Sequence, residues 1–385
     1  MKVRPLTDDD AESVGRLSQL TYGWLGGDLP TALDGQVYVG VDGPDGRLHG
    51  MARLRSYEQY WGGRAVPMGG VAAVAVHPDA RGRGLARAMM RALLELMVEA
   101  GQPISSLFPT AAGIYRPLGW EVVGSQDSTV LPTSLLTRAR SQDSRPVAVR
   151  AAGPGDVSSI AAMYDERGAA TNGLLSRVGP EFPDGPLGVL GHDMVALAED
   201  GQGEPVGYAT YSRGKGYRAD SQLKVWELVA RTGGAAAALT RSIGSWDSVA
   251  PTVSWRGPTD ELARLLPVSL PPATAVQPWM LRVVDAPAAV AARGYACDTD
   301  ASFELVDPVR TANSGSWRLT VREGQGVLER TTETALPRLH VHGLALLYSG
   351  RADVAGVLRA GLLDRPLPGL DQALAGPNPE IFDYF

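Results

Sequence analysis

Residues 69–87 read GGVAAVAVHPDARGRGLAR and are the most informative stretch of this 385-residue chain. The first eight residues form a run of small and β-branched apolar residues, which predicts a buried central strand. His77-Pro78 ends that run. From Gly84 to Glu99 apolar residues recur at helical spacing with charged residues on the opposite face, so an amphipathic helix is expected to follow the strand.

The loop between this strand and this helix has the composition of an anion-binding turn. Its glycines lie where a helix begins, and there the backbone N–H groups lack partners and the helix dipole is positive. Such a loop can enclose a pyrophosphate without side-chain obstruction, and Arg81, Arg83 and Arg87 add positive charge. On its own, the loop fits a glycine-rich turn with solvated arginines equally well.

The surroundings of the loop extend the pattern in both directions. Alternating apolar residues predict a strand at 37–41, a turn at Gly43–Gly46 and a returning strand at 48–55. Downstream, 104–108 reads as a further strand, and 114–121 reads IYRPLGWE. The loop therefore lies inside a regular α/β unit.

Composition excludes several classes of protein and site. With 44% apolar and 20% charged residues, the chain is an ordinary globular protein long enough for two or three domains. The single cysteine, Cys297, rules out intrachain disulfides and argues against a cysteine zinc site. His340 and His342 are expected to share an exposed strand face, so no metal is expected. A net charge of −6 without a basic cluster argues against nucleic acid. The chain shows neither a secretory signal nor an apolar membrane span, so we expect a cytoplasmic protein with no membrane partner.

The chain divides into three blocks, predicted as domains at 1–140, 146–283 and 284–385. The first two look like a diverged repeat, because Arg4 and Asp10 recur at the same spacing as Arg150 and Asp156. Each aspartate is a predicted helix N-cap. In the second block the strand at 224–230 is followed by only a short turn, so no equivalent phosphate loop can form there. Alternating runs in the third block predict strands at 302–306, 316–321, 326–330 and 339–342 and helices at 343–348 and 352–363.

The paired motifs resemble those of the GNAT acetyltransferases. Arg81–Ala86 matches the family motif [Arg/Gln]-x-x-Gly-x-[Gly/Ala], and 115–120 matches its later Tyr-x-x-x-Gly-aromatic segment. Three further features look like the enhanced intracellular survival (Eis) branch found in actinobacteria. They are AGIY at 112–115, the segment 279–296 and the aromatic C-terminus DYF at 383–385. This resemblance covers essentially the whole chain.

The resemblance implies a mixed α/β and α+β architecture. It consists of tandem GNAT domains, the second degenerate and without a cofactor, and a C-terminal α+β domain similar to sterol carrier proteins. It further implies a homohexamer that uses acetyl-CoA as cosubstrate and no metal. The cofactor-binding residues implied are Val74, Ala75, Val76, Gly82, Arg83, Gly84, Leu85, Ala86, Arg87, Thr110 and Ala111.

The same resemblance assigns two catalytic groups. Tyr115 matches the general acid that protonates the leaving thiolate, and a tyrosine pKa of about 10 makes that transfer feasible. The α-carboxylate of Phe385 matches the group that acts as base in this family. The alternative for Phe385 is a frayed terminus, as terminal residues commonly are.

The acceptor is the least determined part of the prediction. The resemblance implies primary amines of a small molecule, an aminoglycoside or another polyamine, and hence antibiotic resistance. Lysine acetylation of proteins or peptides and non-catalytic coenzyme A binding stay open as alternatives. Trp24 and Asp28 are candidates for the acceptor pocket. Two departures from the family bear on aminoglycoside use: the segment around residues 22–28 is shorter, and Tyr384 occupies a position that can be acidic.

Overall fold

A computed structural model describes residues 2–23, 35–217 and 220–385. Trp24 and Asp28, the two candidates for the acceptor pocket, lie outside these residues. Within the described ranges the strands are β1 (Arg4–Pro5), β2 (Gln36–Asp42), β3 (Leu48–Trp61), β4 (Arg64–Val76), β5 (Ile104–Leu107), β6 (Glu121–Pro132), β7 (Val147–Ala151), β8 (Met194–Asp200), β9 (Pro205–Ser212), β10 (Gln222–Ala230), β11 (Thr252–Arg256), β12 (Ala275–Val283), β13 (Thr299–Val306), β14 (Gly315–Arg322), β15 (Gln325–Arg330) and β16 (Arg338–His340). The α-helices are α1 (Ala11–Tyr22), α2 (Leu85–Glu99), α3 (Ala112–Tyr115), α4 (Thr133–Leu136), α5 (Val157–Ala170), α6 (Gly233–Gly244), α7 (Thr259–Leu265), α8 (Ala286–Ala292), α9 (Val341–Ser349), α10 (Val354–Arg359) and α11 (Leu370–Ala373).

Among the described residues, twelve strands form one sheet in the order β1-β2-β3-β4-β5-β12-β6-β11-β10-β9-β8-β7. The predicted cofactor loop connects β4, in the first half of this order, to α2. β6 and β11 pair antiparallel, with Ser128 opposite Arg256, so the two α/β units share one continuous sheet.

Strand β12 closes the sheet of the first unit although it comes much later in the chain. It pairs antiparallel with both β5 and β6, so that Met280 lies opposite Leu107 on one side and Val122 on the other. The predicted domain division at 283 assigns this strand to the second block; that division stays a prediction.

The two α/β units repeat the same local geometry. Strands β4 and β5 are parallel, as are β10 and β11. Arg4 binds the carboxylate of Asp10 with two hydrogen bonds of 2.8 Å, and Arg150 binds Asp156 in the same way. Both aspartates are N-cap residues, but their carboxylates accept from the arginine and from a preceding backbone N–H rather than from the helix they begin. The prediction of the N-caps is confirmed, but neither carboxylate accepts the hydrogen bond from the first helical turn that an N-cap side chain usually accepts.

The third unit is a four-stranded sheet in the order β15-β14-β13-β16 with helices packed against it. The prediction that His340 and His342 share an exposed strand face is wrong. β16 ends at His340, which caps α9, and His342 lies in the first turn of that helix, with the two half-buried rings stacked 4.9 Å apart. The predicted helix at 352–363 is also shorter, because α10 ends at Arg359 before Gly361 with its positive φ.

The third unit packs directly on the first through aromatic residues. Trp61 at the end of β3 lies 5.7 Å from Tyr348 of α9 and 6.1 Å from Trp279 of β12, measured between ring centroids. Arg282 of β12 and Asp307, which follows β13, form a second, fully buried connection, an ion pair of 2.8 Å. Because these side chains are buried, the third unit is held against the sheet that carries the predicted site.

Candidate active site

Strands β4 and β5 separate at the predicted cofactor site. Their parallel pairing runs from Met68 opposite Ile104 to Val71 opposite Leu107, where β5 ends. β4 continues to Val76, so the backbone of its last five residues has no β5 partner. The predicted residues Val74, Ala75 and Val76 lie in this free segment. A free strand edge of this kind can pair with an extended amide-bearing chain such as pantetheine.

A β-bulge lies at the start of the free segment. Met51 of β3 pairs with Ala75 and Arg53 pairs with Ala72, so Ala52 lies opposite two residues of β4. Ala73, inside this bulge, has a φ of +49°, which an L-residue adopts only when its surroundings enforce it. The bulge turns the strand and re-aims its backbone groups toward the gap left by β5.

The loop after β4 fits a pyrophosphate. Gly82 and Gly84 have φ values of +74° and +80°, and a Cβ at either position would meet no neighbouring atom, so glycine is needed there for conformation. The first α2 hydrogen bond runs from the Ala88 N–H to the Gly84 carbonyl, which leaves the preceding amides without helical partners. The first turn of α2 carries no acidic residue, and no side chain caps it.

Side chains around this loop differ in what they offer a ligand. Arg83 and Arg87 are exposed, so their guanidinium groups can reach phosphates. Leu85, the first residue of α2, is buried in the core of the first unit, so it can contribute only its backbone N–H. Ala86 is half-buried and carries no polar side-chain atom.

The corresponding helix start in the second unit is arranged differently. Only Arg231 and Thr232 separate β10 from α6, and the Thr232 side chain accepts a 3.1 Å hydrogen bond from the Ala235 N–H. The Gly234 N–H donates to Asp143 Oδ2 at 3.4 Å. A hydroxyl and a carboxylate of the chain itself therefore occupy the place that a phosphate would take.

Tyr115 ends the short helix α3 and is buried in the core that includes Val71 and Trp120. Burial, with a smaller contribution from Tyr384, raises the pKa of Tyr115 to about 12. The hydroxyl therefore keeps its proton at neutral pH, as a general acid must. Thr110 and Ala111 are exposed in the loop that leads from β5 into α3.

The chain terminus is docked at the point where β4 and β5 separate. Phe385 is 8% exposed, and its ring lies 4.9 Å from that of Tyr57 and 5.4 Å from that of Phe108, which follows β5 directly. A Cβ on Gly70 of β4 would meet Phe385 at 3.1 Å. Phe385 is therefore not a frayed terminus, and the structure brings it to the same strand gap as the predicted cofactor residues.

Tyr22 and Tyr57 are site residues that the sequence does not identify, and Tyr384 is marked there only as a departure from the family. The hydroxyl of Tyr22, at the end of α1, donates a 2.8 Å hydrogen bond to the Val74 carbonyl. The ring of Tyr384 packs on Phe108 at 4.5 Å, and Tyr384 adds to the effect of burial in raising the pKa of Tyr22 and of Tyr115. Gly70 carries a signal in the sequence, since a glycine inside an apolar strand indicates close approach by another group.

Comparison with known proteins assigns the family. Two acetyltransferase (GNAT) domain models match residues 2–123 and 183–283, and a sterol carrier protein domain model matches residues 286–381. A GCN5-related N-acetyltransferase from Kribbella flavida is 33% identical with a TM-score of 0.85, covering 100% of this chain and 98% of that one. The chain belongs to the GCN5-related N-acetyltransferases.

Within the GCN5-related family, this chain is of the Eis type. N-acetyltransferase Eis of Mycobacterium tuberculosis is 29% identical over 373 residues, which cover 91% of this chain and 89% of that protein. A GCN5-related N-acetyltransferase from Anabaena variabilis shares the fold across the full length of both chains, with a TM-score of 0.87 at 24% identity. The predicted architecture of two GNAT domains and a sterol-carrier-like domain is thereby confirmed, and the protein is an acetyltransferase.

The described ranges also bear on membrane spans and metal sites. No helix in those residues is long and apolar enough to cross a membrane. No cluster of three or more histidine, cysteine, aspartate or glutamate side chains there is arranged to hold a metal ion.

Proposed function

We propose that this acetyltransferase transfers the acetyl group of acetyl-CoA to a primary amine of a small molecule, with Tyr115 as general acid and the terminal carboxylate of Phe385 as base. The observation that carries the proposal is the docked chain end. Phe385 packs between Tyr57 and Phe108 beside the strand gap, Tyr384 packs on Phe108, and Tyr384 contributes to the raised pKa of Tyr115.

Acetyl-CoA, when bound, supplies the activated thioester. In our proposal the free edge of Val74–Val76 binds its pantetheine arm, and the amides at Gly82–Arg87 bind its pyrophosphate together with Arg83 and Arg87. Thr110 and Ala111 border the same cleft from the α3 side. Backbone N–H groups beside the Ala73 bulge polarise the acetyl carbonyl.

In this proposal the terminal carboxylate and the Tyr115 hydroxyl transfer the protons of the reaction. The terminal carboxylate orients the amine and accepts its proton, directly or through water. The water route is included because a carboxylate with a pKa of about 3.5 is a weak base. Tyr115 donates its hydroxyl proton to the sulfur as the carbon–sulfur bond breaks. Its raised pKa keeps that proton available over the working range.

The described wall of the gap suits a cationic acceptor. Tyr384 is exposed and its ring packs on Phe108 beside Phe385, and aromatic faces attract ammonium groups. We therefore propose a polyamine acceptor, with aminoglycosides as the first compounds to test. From the family resemblance we also propose a homohexamer, which light scattering of the purified protein tests.

The experiment is a thiol-release assay with acetyl-CoA across a panel of amines. The proposal expects turnover with tobramycin-like polyamines or other small amines. Release only with lysine peptides would replace the small-molecule acceptor by a protein, and tight coenzyme binding without release from any amine would refute catalysis.

A further inference from the structure

We propose that the second, cofactor-free unit serves the reaction as the anchor of the catalytic chain end: Arg177 and Glu227 hold Asp383 and thereby position the carboxylate of Phe385. Its catalytic consequence rests on the function proposed above. Arg177 is a positioning residue, because it acts on the reaction only through Asp383.

The anchor is a group of charges, buried at Glu227 and partly exposed at Arg177 and Asp383, that joins the second unit to the C-terminal tail. Arg177 Nε donates to both carboxylate oxygens of Asp383 at 3.2 Å. Its two terminal nitrogens bind the carboxylate of Glu227 in β10 at 3.1 and 2.6 Å. One guanidinium therefore uses its planar set of donors to join two carboxylates from distant parts of the chain.

Two tyrosines complete the hydrogen bonding of this group. The Tyr208 hydroxyl donates to Glu227 at 3.0 Å. The Tyr164 hydroxyl lies 3.2 Å from Asp383 and donates to the Leu175 carbonyl at 2.9 Å, and its ring lies 4.0 Å beneath the Arg177 guanidinium. Because the acidic groups are paired and hydrogen-bonded, the cluster has one preferred geometry.

Arg177 is held in a conformation that an arginine seldom adopts. Its φ is +53°, in the left-handed region. Glu227 is 2% exposed, so loss of its partner would leave a buried carboxylate without compensation. A strained backbone that presents a buried ion pair indicates that the position of this guanidinium matters to function.

The tail residues just before Asp383, 380–382, are also held by hydrogen bonds to the first two units. Arg167 of α5 binds Glu380 with hydrogen bonds of 2.8 and 3.1 Å, and Gln126 of β6 donates to the Phe382 carbonyl at 2.9 Å. Only Tyr384 and Phe385 lie beyond Asp383, and two residues span at most about 7 Å. The position of Asp383 therefore restricts where the terminal carboxylate can lie.

The test uses the full chain and two readouts. Asp383→Asn and Arg177→Met remove the anchor's charge from either side, and Tyr164→Phe removes the hydroxyl that lies 3.2 Å from Asp383. Arg322→Met, which breaks an exposed ion pair with Asp300 in the third unit, is the matched control. Each protein is exposed to a carboxypeptidase that prefers aromatic termini, and release of phenylalanine is timed.

We expect the anchor variants to release Phe385 at least about tenfold faster than the wild type and the control. We expect kcat to fall on the order of 10²-fold, because a displacement near 1 Å costs that much, while KM for acetyl-CoA changes less than about twofold. Equal release rates in Asp383→Asn and wild type would overturn the anchor. If the larger substitution at Arg177 unfolds the protein, Asp383→Asn and Tyr164→Phe still decide.

The two proposals fail separately. Wild-type protein that has lost Phe385 to the carboxypeptidase and keeps full thiol release would refute the terminal carboxylate as base, and with it the predicted loss of kcat. The release rates of the variants would still support or overturn the anchoring of the tail.

Discussion

The contact between Gly70 and the chain end gives a substitution whose effect follows from distances. Gly70→Ala adds one Cβ to β4, which would lie 2.7 Å from Tyr57 Cε2 and 3.1 Å from Phe385 Cδ2. Ordinary contacts begin near 3.4 Å, so the Tyr57 ring has to move by roughly 0.7 Å and the Phe385 ring by roughly 0.3 Å. The φ of Gly70 is not positive, so alanine adds no backbone strain.

These displacements set the expected size of the effect. Overpacking of this kind costs about 1–3 kcal/mol of folding stability, which leaves the protein folded. A shift of 1 Å in a reacting group costs about 10²-fold in rate, so a shift of a few tenths of an ångström in the chain end is expected to cost on the order of tenfold in kcat. KM for acetyl-CoA should hardly change, because the phosphate loop is remote from Gly70 along β4.

The assay is steady-state thiol release with a thermal unfolding scan of each protein. Gly155→Ala in the second unit is the control, since a Cβ there meets nothing within 4 Å. If Gly70→Ala keeps wild-type kcat while its unfolding midpoint falls, the displaced ring is structural only, and the reasoning that places the terminal carboxylate in the reaction is refuted.

Three further predictions follow from other parts of the site. Two residues appended after Phe385 should abolish most turnover and leave coenzyme binding intact, by kinetics and calorimetry; undiminished turnover would exclude the α-carboxylate as base. Tyr115→Phe should lower kcat far more than coenzyme affinity, and because the wild-type pKa is about 12, kcat should not fall from about pH 8 to about pH 10 through ionisation of Tyr115; a falling limb in that range that vanishes in the variant would contradict this. Thr232→Ala should cost about 1 kcal/mol of stability, since it removes the N-cap of α6, and should leave KM for acetyl-CoA unchanged; an increase in that KM would point to a nucleotide site in the second unit.

Local patterns predicted the elements around the cofactor loop well. The apolar run before His77 lies in β4, and the helical period from Gly84 gives α2 with Gly84 as its N-cap, because these signals depend on neighbouring residues alone. The local patterns underestimate the lengths of both strands. β3 extends to Trp61 and β4 begins at Arg64, because residues beyond the patterned runs also pair across the hairpin. The lengths of β3 and β4 are therefore set by their pairing with each other and not by the local period.

Long-range features of the site could not be read from the sequence. The bulge at Ala73 depends on the register of β3, and the Arg177–Asp383 pair joins residues 206 positions apart. His342 was misassigned to a strand, because the alternation around His340 did not reveal that the chain enters α9 at Val341. The docking of Phe385 was expected from family resemblance alone, since an apolar tail does not specify where it binds.

The position of β12 has a consequence for how the enzyme is made. The ribosome synthesises β5 and β6 early, but the strand that lies between them in the sheet is translated roughly 150 residues after β6 begins. The nascent first unit therefore carries two open strand edges until the second unit has emerged. A chain truncated before β12 would leave both edges unpaired, so the first unit depends on a much later part of the chain for a complete sheet.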